Sequence, residues 1–231
     1  MLLHGWALDL ESWDLVVPRL AAHFTVLRFD RCGFGLSTGR PDIHRNVADL
    51  CAVMDAAEVS TAAVLGMSQG ARFAIHFALQ CAARARALLL DGAPFIEAES
   101  ELPLEEYRLA LQQQGADELR RRVLTHPLMQ LHTRDPSART TLHRSVDHYR
   151  GLDLLLPSVR AMTPDLQEIS CPSLVINGRL DSPMRREAGA QLQSAIAGAI
   201  RVEIADAGHL AMLDRPDAYS EAVTGFLRAA T

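Results

Sequence analysis

The chain contains no lysine; all 23 of its basic residues are arginine. Without a lysine amine no internal Schiff base can form, which excludes pyridoxal phosphate held on a lysine. A Walker A loop is excluded too, because its Gly-Lys-Ser/Thr needs that side chain. Cysteine is scarce. Cys32, Cys51, Cys81 and Cys171 stand far apart with no CxxC pair, and they read as free buried thiols in a reducing compartment. The opening residues MLLHGWALDLESW lack the basic region and long apolar stretch of a signal peptide. No run reaches the roughly 18 apolar residues of a membrane helix. A cytoplasmic protein with no membrane partner is therefore expected. Excess positive charge is also missing. The net charge is -5 and the isoelectric point about 6.0, so nothing suggests a nucleic-acid partner.

What is present is a globular composition, 48% hydrophobic and 22% charged over 231 residues, long enough to bury a sizeable core. Short apolar runs alternate with helical patterns. The candidate strands are Met1–His4, Thr25–Asp30, Ala62–Met67, Ala87–Asp91, Ser173–Asn177 and Arg201–Ala205. The candidate helices between them are Ser12–His23, Asp42–Ala57, Gln69–Ala83, Met184–Ala197 and Pro216–Ala229. This alternation predicts an α/β fold. Its sheet is mostly parallel, has at least six strands and carries helices on both faces. Residues 94–167 break the rhythm: they hold no strand candidate and run through helical patterns such as EEYRLALQQQ and ADELRRRVLTH. The expected organisation is a core built from residues 1–93 and 168–231, with residues 94–167 as an all-helical insertion. Its histidines, His126, His132, His143 and His148, have no HExxH-type spacing, so no metal is expected there.

Ligands of parallel α/β sheets bind at the carboxyl ends of the strands. There the chain places Gly66-Met67-Ser68-Gln69-Gly70, then Gly178-Arg179-Leu180-Asp181, then Asp206-Ala207-Gly208-His209. Ser68 alone is explained as a helix cap. The order Ser…Asp…His at three strand ends is instead that of a nucleophile elbow. A serine hydroxyl is a weak nucleophile until a base takes its proton, and His209 is the candidate base. The imidazole needs an anion to set its tautomer, and Asp181 is the candidate, with Asp91 and Asp206 as alternatives. Gly66 and Gly70 leave room for the tight turn. An oxyanion would need backbone donors, for which the N–H groups of Trp6 and Gln69 are placed. His4 reads as structural, and Asp30 and Ser37 as organisers of the turn that contains Gly33 and Gly35.

Taken together, the HGW start, DRCGFGLS, GMSQG, LDGAP, NGRLDSP and DAGH resemble the α/β-hydrolase fold superfamily over nearly the whole chain. The resemblance implies a catalytic triad of Ser68, His209 and Asp181, and a helical cap where the insertion lies. Its nearest branches are small bacterial carboxylesterases and enol-lactone hydrolases. The implied activity is cleavage of a small-molecule ester or lactone, with no cofactor. A cofactor-free haloperoxidase or perhydrolase, a carbon–carbon bond hydrolase and a non-hydrolytic ligand receptor stay open as alternatives. A serine at position 68 argues against the epoxide hydrolases and dehalogenases, which need aspartate there. Members of the superfamily usually carry further strands before the His-Gly strand, which here begins at Met1. An exposed sheet edge beside Thr25–Asp30 is therefore expected, and with it a tendency to form a homo-oligomer.

Overall fold

The computed structural model describes residues 1–42, 45–94, 101–156 and 164–230. Apolar runs bounded by turns form a parallel sheet in the order β1 (Leu2–Leu3), β2 (Ala62–Met67), β3 (Ala85–Asp91), β4 (Ser173–Gly178) and β5 (Ile200–Ile204). Parallel neighbours need crossovers, and all of the following helices except the last two, which come after β5, lie in them. They are α1 (Val17–Ala21), α2 (Asn46–Ala56), α3 (Gln69–Gln80), α4 (Leu104–Gln114), α5 (Ala116–Thr125), α6 (Pro136–Asp147), α7 (Pro183–Ala195), α8 (Ala211–Asp214) and α9 (Pro216–Ala229).

Side chains alternate across a strand, so β1 to β4 each feed two cores. Leu65, Met67, Leu89, Leu174 and Ile176 pack on one face with Trp13, Tyr219 and Val223. Val64, Leu88, Leu90 and Val175 pack on the other with Met54, Phe73, Phe77 and Leu192. Burial on both faces explains why the strands read as continuous apolar runs.

The sheet has five strands among the described residues rather than the expected six or more. The run Thr25–Asp30 is reduced to one bridge, Arg28 to Leu2, and one further bond from Leu2 N–H to the Leu27 carbonyl. Its partner strand is only two residues long. Asp30 has already left the ladder, because its carboxylate accepts the N–H groups of Leu10 and Leu36. The expected helix Ser12–His23 is also divided, into a 3-10 turn over Leu10–Trp13 and α1. Pro18 has no N–H to continue a helix but is tolerated in the first turn of a new one.

The described part of the expected insertion is helical. Gly115, at φ 88°, separates α4 from α5. The Asp135 side chain accepts the Ser137 N–H at the start of α6. Residues 95–100 and 157–163, also part of the insertion, lie outside the described residues. Tyr107, Leu119, Val123 and Tyr149 of this segment join the same apolar cluster as Trp6 and Leu8 of the core. The four cysteines are half-buried, and Cys51 and Cys81, distant in sequence, bring their sulfurs to 3.5 Å.

Candidate active site

Ser68 occupies the turn between β2 and α3 with φ 51° and ψ −114°. A non-glycine residue in that region costs of order 1–3 kcal/mol and persists only where its surroundings impose it. They do so here through two glycines. A Cβ on Gly66 would lie 2.4 Å from the Gly70 carbonyl oxygen, and one on Gly70 would lie 2.4 Å from that of Leu3. The turn can therefore close only if both lack side chains. The Ser68 N–H donates to the Asp91 carbonyl (2.7 Å), tying the elbow to β3. The Ser68 hydroxyl makes no capping bond to α3, so the cap explanation of this serine does not hold.

Two later strand ends meet beside it. A Cβ on Gly178 would be 2.0 Å from the Gly208 carbonyl oxygen, so this glycine lets the loops after β4 and β5 touch. The Leu180 N–H donates to the Ala207 carbonyl (2.8 Å) across that contact. The result brings His209 Nδ1 to 3.0 Å from Asp181 Oδ2, with both residues buried. Asp181 Oδ1 accepts the Ser182 N–H (2.7 Å), which orients the carboxylate. A carboxylate accepts, so the proton of this bond sits on Nδ1 and the other ring nitrogen is left as a base. Gly92, at φ 52°, makes room for the ring; a Cβ there would lie 2.8 Å from His209 Cε1.

Ser68 and His209 line one narrow cavity together with Trp6, Leu8, Met67, Leu102, Leu128 and Met129. Among the described residues, every lining side chain apart from serine and histidine is apolar. Trp6 forms one wall: its indole stacks on Tyr107 and donates from Nε1 to Asp153 Oδ2 (2.8 Å). Among the described residues, the backbone N–H groups of Trp6 and Gln69 have no acceptor. A roomier apolar cavity of about 340 Å3 lies at the other end of the strands, lined by residues such as Leu2, Phe24, Val26 and Val223. Among the described residues, no histidine or serine lines it.

The other residues singled out from the sequence have different surroundings. Asp91 is fully buried and accepts a bond from the Tyr219 hydroxyl (3.0 Å), not from His209. Burial pushes its pKa well above the usual carboxylate value. Asp206 is exposed and lies 3.5 Å from Arg215. His4 is buried between Arg31 and Gly5. The sequence reading missed Asp214, whose carboxylate accepts the Gly208 N–H (2.8 Å) and the His132 N–H (2.6 Å) and so braces the loop carrying His209. It also missed Arg31 and Asp153, which lie behind Trp6. His148 forms a cluster with Asp9 and Glu11. There the Asp9 oxygens are engaged by Ser145, His148 and the Glu11 N–H, and Glu11 pairs with Arg144.

A parallel sheet with a strained serine elbow, and a His–Asp pair at later strand ends, defines a hydrolase-type architecture. The sequence agrees: residues 1–222 match the model of the alpha/beta hydrolase family, and the chain belongs to that family. It is 29% identical over 238 residues to a pimeloyl-[acyl-carrier protein] methyl ester esterase of Proteus mirabilis, covering 96% of this chain and 89% of that protein. The same-named protein of Pectobacterium carotovorum is 27% identical over 250 residues, covering 99% and 94%. Among solved structures, the enol-lactonase from Burkholderia xenovorans superposes with a TM-score of 0.84 at 27% identity, covering 98% of this chain and 90% of that one. MenH from S. aureus shares the fold with a TM-score of 0.84 at 18% identity, covering 99% and 92%.

Proposed function

We propose that the chain is a serine hydrolase that cleaves small carboxylic esters, lactones included, through an acyl-enzyme on Ser68. The observation that carries this reading is that His209, bonded to Asp181, faces the same apolar cavity as a serine held at positive φ. His209 takes the Ser68 proton as the oxygen attacks the ester carbonyl. The N–H groups of Trp6 and Gln69 receive the oxyanion. His209 then protonates the departing alcohol, and Asp181 steadies the imidazolium. Water, deprotonated by the same histidine, releases the acid. No step calls for a metal or a cofactor.

Among the described residues, no charged side chain lines the cavity, which favours a short uncharged acyl chain. The named activities of the relatives, a methyl ester esterase and an enol-lactonase, both act on ester bonds. Residues 94–167 form a cap inserted into the core of residues 1–93 and 168–231, since Leu102, Leu128 and Met129 close the cavity from that segment. The free thiols suit a cytoplasmic setting, and no described helix is long and apolar enough to cross a membrane.

Hydrolysis of p-nitrophenyl acetate, butyrate and octanoate tests the reading. Turnover should be measurable and highest for the short esters. His209→Ala should lower kcat by roughly 10^4-fold or more. A folded protein that binds the esters without turning them over would support a receptor instead.

A further inference from the structure

A buried cation lies directly behind the proposed oxyanion donors. Arg31 is 4% exposed. Its guanidinium carbon lies over the Phe34 ring (4.4 Å) and the Phe73 ring (4.9 Å), which shield it from water. One nitrogen, Nη2, donates both to the Gly5 carbonyl (3.1 Å) and to Gln69 Oε1 (2.7 Å). The Arg31 backbone N–H donates to His4 Nε2 (3.1 Å). That makes Nε2 an acceptor and puts the imidazole proton on Nδ1, which donates to the same Gly5 carbonyl (2.9 Å). Burial, and next the Arg31 charge, hold the His4 pKa well below its ordinary value, so the ring is neutral.

The Gly5 carbonyl therefore accepts two hydrogen bonds, one of them from a cation. It belongs to the same peptide unit as the Trp6 N–H. In a trans peptide the C=O and N–H point in opposite directions. Arg31 and His4 thus grip the back of the unit whose front presents the Trp6 N–H. A donor on the carbonyl polarises the amide and makes its N–H a stronger donor. The second contact, on Gln69 Oε1, fixes the side chain of the residue supplying the other N–H. Packing alone does not account for a charge here. Arg31 Nε is buried with no acceptor among the described residues, and burial brings the guanidinium pKa down to about 9, which still leaves it cationic at neutral pH.

We propose that Arg31 is a positioning residue of the oxyanion hole, locking and polarising the Gly5–Trp6 peptide and anchoring Gln69 through a single guanidinium nitrogen. This rests on the serine-hydrolase reading above. Its effect falls on the oxyanion and hardly on the bound ester, so it belongs to kcat rather than KM.

The test compares wild type, Arg31→Met and Arg31→Lys with a matched pair of inhibitors. An alkyl trifluoromethyl ketone adds to the serine as a tetrahedral oxyanion; the corresponding methyl ketone binds without forming a stable adduct. For Arg31→Met, kcat on p-nitrophenyl acetate should fall by about 10^2-fold with KM within about threefold, near the loss expected for one oxyanion donor. Trifluoromethyl ketone affinity should fall by a similar factor and methyl ketone affinity should hold. Arg31→Lys, which keeps a charged donor, should recover part of both losses. Equal weakening of both ketones, or an unchanged kcat in folded Arg31→Met, would overturn the proposal. If Arg31→Met does not fold, Gln69→Met removes one of the contacts instead; wild-type discrimination between the ketones in that variant would also overturn it. Failure of the underlying reading looks different: wild type itself would not prefer the trifluoromethyl ketone, and Ser68→Ala would keep its activity.

Discussion

Asp91 and Asp181 are the same side chain at the ends of adjacent strands, and their surroundings separate them. Asp181 accepts from His209 and from the Ser182 N–H. Asp91 has one oxygen bonded to Tyr219 and the other with no partner among the described residues. Asp181→Asn should lower kcat by roughly 10^4-fold through the wrong imidazole tautomer, while Asp91→Asn should stay within about twofold of wild type. The reverse pattern in ester turnover would move the acid to β3. Asp91 also predicts a pH effect. Its folded pKa is raised by burial, so above the unfolded pKa the unfolded chain ionises while the folded one holds its proton. Wild type then loses about 1.4 kcal/mol of stability per pH unit as pH climbs from the unfolded toward the folded pKa. Asp91→Asn lacks this loss, so its stability relative to wild type should increase from pH 4 to pH 7 in urea unfolding. An offset that stays flat with pH would contradict a neutral Asp91. At this scale the nearness of the candidates Ser68, Asp181 and His209 was legible because each lies just past an apolar run. Arg31, Asp153 and Asp214 were not, since a single polar letter carries no period, and each makes a bond to a residue far along the chain, 38, 147 and 82 positions away.

Elements were legible where a helix or strand has its own complete pattern. The runs read as strands at Ala62–Met67 and Ser173–Asn177 match β2 and β4 to within a residue, and Pro216–Ala229 is α9 as expected. The run Thr25–Asp30 failed because strand length is decided by the neighbour as much as by the run itself. How the helical segment docks on the core could not be read locally either. Asp9 is nearly fully buried, and its N–H donates to Ser145 Oγ (2.9 Å), which donates in turn to Asp9 Oδ1 (2.6 Å). His148 Nδ1 meets Asp9 Oδ2 at 2.7 Å. These bonds join the turn after β1 to the end of α6. Ser145→Ala leaves a buried N–H and a carboxylate oxygen short of partners, so it should destabilise the protein by about 1–3 kcal/mol. Chemical denaturation measures this; a change under about 0.3 kcal/mol would mean that the docking is carried by apolar packing alone.

Across the whole molecule, the site exists because several strands end on one side of one sheet. Parallel topology delivers the turn at Ser68 and the loops of Asp181 and His209 to the same edge, and glycines 66, 70, 92 and 178 let them approach. That much follows from sequence order. Substrate preference does not, because the cavity closes between distant parts of the chain: Leu128 and Met129 face Trp6, Leu8 and Met67. Leu128→Ala should widen it and raise the butyrate-to-acetate ratio of kcat/KM by roughly tenfold, the scale of a methylene or two of apolar contact. An unchanged ratio would place the acyl chain elsewhere. Ser68 as the nucleophile is checked by intact-mass analysis after exposure to a fluorophosphonate probe. A single adduct on wild type, mapped to Ser68 and missing from Ser68→Ala, is the predicted result. An unlabelled wild type, or equal labelling of Ser68→Ala, would contradict it.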